Sequence, residues 1–138
     1  MFSQLAESNL PCYSTGMSLE KAKESLMAAQ RCLEEGWYNS SVSRAYYAMF
    51  QAARSALALA GFDRPWWSHG GLHSTFAVEL VRRRKLYPHS FVRALAEAME
   101  LRHTADYSDI QLSSRQVTRV VRAAADFLNR VQEETSNA

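Results

Sequence analysis

Residues 39–61, NSSVSRAYYAMFQAARSALALAG, decide how this chain folds. Val42, Ala45, Tyr46, Met49, Ala53, Ala56, Leu57 and Ala60 recur at helical spacing and cover one broad side. Phe50 and Leu59 widen that side until the helix is apolar over most of its circumference. A helix of this kind belongs at the centre of a protein, surrounded by others. Its remaining stripe is Ser40, Arg44, Tyr47, Gln51 and Arg54. Asn39 or Ser40 supplies an N-cap, and Gly61 a stop.

A central helix needs partners, and the flanking sequence provides them. Upstream, Leu19, Ala22, Leu26, Ala29 and Leu33 form one apolar stripe, with Ser18 as the expected cap and Gly36 as the stop. Downstream, the connector FDRPWWS (62–68) is broken by Pro65, and Ser68 is expected to cap a third helix carrying Leu72, Phe76, Leu80 and Val81. Pro88 ends that helix or opens the next, in which Phe91, Ala94, Leu95, Ala98, Met99 and Leu101 point inward. Ser113 and Gln116 fit a capping box for a last helix with Val117, Val120, Val121, Ala124, Leu128 and Val131. The fold class is therefore all-α, an up-and-down bundle of about five helices. The bundle is expected over residues 18–134, between a flexible arm (1–17) and a disordered tail (135–138).

Composition narrows the function classes. Sixteen Lys and Arg against fourteen Asp and Glu leave a net charge of +2, without the large excess of a strong nucleic-acid binder. Two cysteines at positions 12 and 32 make neither a disulfide framework nor a metal-ligand spacing. The start lacks the basic and apolar blocks of a signal peptide, and no apolar run is long enough to span a bilayer. A cytoplasmic protein is expected. Walker-type loops, dinucleotide turns, nucleophile elbows and metalloprotease motifs are absent from the sequence, and no cofactor is expected.

The segment RHTADY (102–107) holds the most informative side chains. Arg102 continues the apolar stripe of Leu95 and Met99, and Asp106 lies four residues on, within reach of the guanidinium. A cation held partly inside a bundle needs such a partner, so a structural pair accounts for both. Tyr107 is about 140° around an ideal helix from Arg102 and diverges from it unless the helix bends or ends there, or two subunits each supply part of a site. His103 faces a third direction. His69 and His73 have a chelating spacing, but no third ligand lies nearby, and no metal is expected. The run RRRK (82–85) and the stripe Arg115, Arg119 and Arg122 read as phosphate contacts or, more commonly, as solvated faces. Trp66 and Trp67 read as base-stacking groups or, more commonly, as cover for a core edge or a dimer interface.

Three of these stretches, taken together, resemble a known family. YNSSVSRAYYAMFQAAR (38–54), then SHGG (68–71) with Phe76, then Arg102 with Ala105, Asp106 and Tyr107 are similar in order and spacing to the motifs of short prokaryotic HEPN proteins. The resemblance implies a helical bundle that often forms a homodimer. It also implies a minimal nucleotidyltransferase partner, in toxin–antitoxin or related defence modules, and in several branches a metal-independent endoribonuclease. The usual signature there is an arginine followed, after four to six residues, by histidine. Arg102 matches the arginine, but positions 107 to 109 hold Tyr107, Ser108 and Asp109. The resemblance further implies that Tyr107 could be a residue modified by the partner.

Two expectations follow. In the first, a toxin-like ribonuclease, Arg102 stabilises phosphate charge while Tyr107 and His103 assist. In the second, a non-catalytic nucleotide-binding or partner-binding module, Arg44, Tyr47, Arg54 and His69 serve recognition of an RNA, nucleotide or protein, and Asp106 holds Arg102 in a structural pair.

Overall fold

The computed structural model describes the backbone of residues 10–137 and the side chains of residues 18–137. Among them are α1 (Leu10–Glu35), α2 (Tyr38–Leu59), α3 (His69–Thr75) running on into a π-helical segment (Phe76–Arg83), α4 (His89–Tyr107) and α5 (Ser114–Ser136), with no strand. The all-α bundle expected from the sequence is what forms.

α2 is the central element, with thirteen residues buried along it from Ser41 to Leu57. It contacts every other helix, because an all-round apolar surface can be removed from water only by neighbours on all sides. Gln51, expected on the polar stripe, is buried as a result. α1 packs along most of α2, and Ser18, Ala22, Ser25 and Ala29 form its buried line. These small residues let the two backbones approach closely enough for Ser41 Oγ to donate to Ala29 O at 2.8 Å. α5 covers a further side of α2 with Val117, Val120, Val121, Ala124, Phe127, Leu128 and Val131, and also touches α1. Phe127 stacks on Phe91 of α4 at 4.6 Å and lies 5.4 Å from Phe76, fastening three helices around one ring.

Several helix boundaries differ from the sequence expectation. α1 starts at Leu10, so Ser18 is an interior residue and not a cap. Residues 10–17 of the expected arm are helical, and residues 1–9 lie outside the described part. At the other end α5 runs through Ser136, and Thr135 Oγ1 donates to Val131 O, so the expected tail is helical there. α2 is capped by the backbone of Trp37, whose carbonyl accepts from Ser41 N–H at 2.9 Å, which leaves Asn39 and Ser40 inside the first turn. The reason is the tightness of the α1–α2 turn. Gly36 (φ 81°) permits Trp37 N–H to reach Cys32 O, and Gly61 (φ 99°) permits Phe62 N–H to reach Leu57 O in the same way. The helix after Ser68 widens to π geometry at Phe76, with Arg84 N–H bonded to Glu79 O five residues back. The capping box of α5 forms as expected, with reciprocal bonds of 2.9 and 3.1 Å between Ser113 and Gln116.

Candidate functional site

The start of α3 is shaped by its own four residues. Ser68 caps the helix by accepting from Gly71 N–H at 2.9 Å. A Cβ at Gly71 would lie 2.7 Å from that hydroxyl oxygen, so glycine is what allows the cap to close. His69, held between them, is largely exposed at its outer edge and turned inward at Nδ1.

The inward contact is Tyr46 of α2. Its hydroxyl lies 2.8 Å from His69 Nδ1 and 2.9 Å from His73 Nε2, so one buried phenol holds both histidines. Phe50 meets the His69 ring edge-on at 5.2 Å. On the other side, the Arg102 guanidinium lies over the Tyr46 ring, 5.6 Å from its centroid. Burial pushes the Tyr46 hydroxyl up to about 12, a rise the Arg102 charge partly opposes, so the group remains a neutral hydroxyl. Burial, then the Arg102 charge, holds His69 below the ordinary imidazole range. Burial, then the charge of His69, does the same to His73.

Above this network opens a cavity of about 460 Å³ lined by His69, Met99, Arg102, His103, Asp106 and Tyr107. α4 supplies five of these six, because positions 99, 102, 103, 106 and 107 recur at three- and four-residue steps on one face. Arg102 Nε pairs with Asp106 Oδ2 at 3.7 Å, as the spacing predicted. Both side chains are more than a third exposed, so the pair contributes about 0–1 kcal/mol and still presents charge to the cavity. Tyr107 and His103 were expected to diverge from Arg102. They share its cavity because it spans a broad arc of α4, and the two rings pack at 4.8 Å. Tyr107 is 77% exposed at the rim.

The remaining predicted residues divide. Arg44 lines a neighbouring groove with Ser40, Ser43 and Asp106, so Asp106 is common to groove and cavity. Tyr47 lies beneath Arg44, whose guanidinium is 5.2 Å from its ring centroid. Arg54 is elsewhere: it donates to the carbonyls of Arg64 and Pro65 and ties the connector to α2. Trp67 is buried at a core edge with Arg64 stacked over it at 4.1 Å, whereas Trp66 is exposed. The basic run is partly committed, Arg83 to Glu79 and Arg84 to Ala60 O. Arg119 of the α5 stripe pairs with Glu97.

Sequence reasoning assigned Tyr46 to the core and treated His73 only as half of a metal pair. Among the described residues no third ligand joins the two histidines, whose inward nitrogens both face Tyr46. The legible signal was a tyrosine on an apolar face, since a buried phenol requires a hydrogen-bond partner.

The fold and site together define an all-α bundle with an arginine, three histidines and two tyrosines gathered where α2, α3 and α4 meet. The family model of the HEPN domain matches residues 16–134, and the chain belongs to that family. It is 34% identical over 119 residues to UPF0332 protein glr0978 of Gloeobacter violaceus, covering 80% of this chain and 92% of that protein. It is also 28% identical over 116 residues to a Methanocaldococcus jannaschii protein named "Putative toxin MJ0142", covering 83% of this chain and 77% of that one. A second protein of that organism, "Putative toxin MJ0605", is 26% identical over 115 residues, covering 83% and 84%.

Proposed function

We propose that this HEPN-domain chain is the toxin-like component of a toxin–antitoxin or defence module, paired with a minimal nucleotidyltransferase and acting as a metal-independent endoribonuclease. The observation that carries this reading is the convergence of Arg102, His103 and His69 on one open cavity. RNA cleavage without a metal requires a proton acceptor for the 2′-hydroxyl, a proton donor for the departing 5′-oxygen, and a cation on the phosphate. Histidine and arginine provide these groups. The names of the two archaeal relatives support the toxin-like role. Tyr107 stands where the family's ribonuclease signature has histidine, and its exposure at the rim makes it accessible to a modifying partner. A homodimer that brings two such rims together is part of the same proposal.

Expression of the chain alone tests this reading. Growth arrest with RNA fragmentation that persists in EDTA is expected for the wild type and is lost in Arg102→Ala. Intact RNA and equal growth for both would reject it. The alternative, a non-catalytic nucleotide-binding or partner-binding module, is favoured by one observation: no histidine occupies positions 107 to 109. It predicts a stable complex with a nucleotidyltransferase-type protein and no cleavage.

A further inference from the structure

We propose that Tyr46 and His73 form a hydrogen-bond relay behind His69 that fixes its tautomer, making Nε2 of His69 the proton-accepting atom of the cavity. This rests on the RNA-cleavage reading above, and it names the acceptor together with the two residues that position it.

The argument begins with one proton. A neutral tyrosine hydroxyl donates a single hydrogen bond, yet the Tyr46 oxygen lies within bonding distance of two imidazole nitrogens. One histidine must therefore accept from Tyr46 while the other donates to it. If His69 accepts at Nδ1, its own proton sits on Nε2 and it has no lone pair to offer the cavity. If His73 accepts at Nε2, His69 donates from Nδ1 and its Nε2 is bare.

Only the second arrangement survives proton uptake. Once His69 carries protons on both nitrogens, Nδ1 must donate to Tyr46, which must then donate to His73. A neutral His69 already in that state takes a proton with no rearrangement of the network behind it. His73 is thus the terminal acceptor that orients Tyr46, and Tyr46 orients His69. Burial of Tyr46 keeps water from supplying a competing partner. In the reaction, the 2′-hydroxyl proton moves to His69 Nε2 as the 2′-oxygen bonds to phosphorus. The bond from phosphorus to the 5′-oxygen breaks, and that oxygen takes a proton from His103, leaving a 2′,3′-cyclic phosphate and a 5′-hydroxyl.

The groups facing His69 set the pH behaviour. They are Tyr46 from α2, His73 on its own helix, and Arg102, His103, Asp106 and Tyr107 across the cavity on α4. Burial and then the Arg102 charge favour the neutral imidazole, so the acid limb of cleavage should fall below the ordinary imidazole range.

Imidazole nitrogen spectra of the full chain, with cleavage of a synthetic oligoribonucleotide, test the relay. The wild type should show His69 protonated at Nδ1 and bare at Nε2. His73→Leu removes the terminal acceptor, so Tyr46 turns to donate to His69; Nε2 should become protonated and cleavage should fall about 10²-fold. His73→Gln offers an amide oxygen in place of Nε2 and should restore both the tautomer and most of the rate. A wild-type His69 protonated at Nε2 would overturn the relay, as would undiminished cleavage by a folded His73→Leu. Cleavage that survives His69→Gln but not Arg102→Ala overturns the relay and leaves the RNA reading standing. A wild type that cleaves nothing removes the RNA reading and His69's role in it, while the spectra decide the hydrogen-bond order separately.

Discussion

Arg102 lies over the Tyr46 ring, with 5.6 Å between the guanidinium carbon and the ring centroid. Because the same ring carries the hydroxyl that holds His69 and His73, this contact joins the cation of α4 to both histidines of α3 through one residue of α2. The site is therefore assembled at a junction of three helices, and each partner's chemistry depends on the others.

Arg102 should consequently matter more for function than for stability. Its ion pair and ring contact are each worth about 0–1 kcal/mol at this exposure. Arg102→Ala should lower the melting temperature by only a few degrees while abolishing growth arrest and RNA fragmentation. Thermal melts beside cellular RNA profiles make the comparison, and a large melting shift would mark Arg102 as primarily structural.

Stability should rise with pH across the imidazole range. His69 and His73 are held below their ordinary value in the folded state, so the unfolded chain binds more protons between the lowered and the ordinary pKa. As pH falls through the unfolded value of about 6.5, that contribution is lost. Denaturant melts from pH 5 to 8 should show the trend, and the double variant His69→Gln with His73→Gln should flatten it.

Removing the Tyr46 hydroxyl leaves two histidines without their shared partner. Tyr46→Phe should cost about 0.5–1.5 kcal/mol, the net worth of a part-buried hydrogen bond. Adding His73→Leu to it should cost less than the sum of the two single changes, since both break the same bond. Additive losses in a double-mutant cycle would contradict a coupled network.

Phe127 should be the most sensitive aromatic position of the core. Its ring meets Phe76 and Phe91 and is 1% exposed, so Phe127→Ala should destabilise by about 3–5 kcal/mol, against roughly 1 kcal/mol for Ser113→Ala at the α5 cap. Equilibrium unfolding of the two variants checks the ordering.

Much of the architecture was legible because it follows from local periodicity. The all-round apolar surface of residues 39–61 required a central helix, and Ser113 with Gln116 announced a helix start from four residues alone. The Arg102–Asp106 pair was equally local, one helical turn apart. Boundaries that depend on close packing were less so. Ser18 has the chemistry of a cap but lies inside α1, where its small side chain faces α2.

Fold class, helix order and the face of α4 that carries Arg102 and Asp106 could all be read from residue spacing, since each is set within one segment. Only the docking of the helices brings Tyr46 to histidines 23 and 27 residues away and opens one cavity across the broad arc of α4 from Arg102 to Tyr107. The physical reason is that a hydrogen bond between separate helices depends on how those helices dock, and side-chain periodicity records which face is buried but not which partner lies across it.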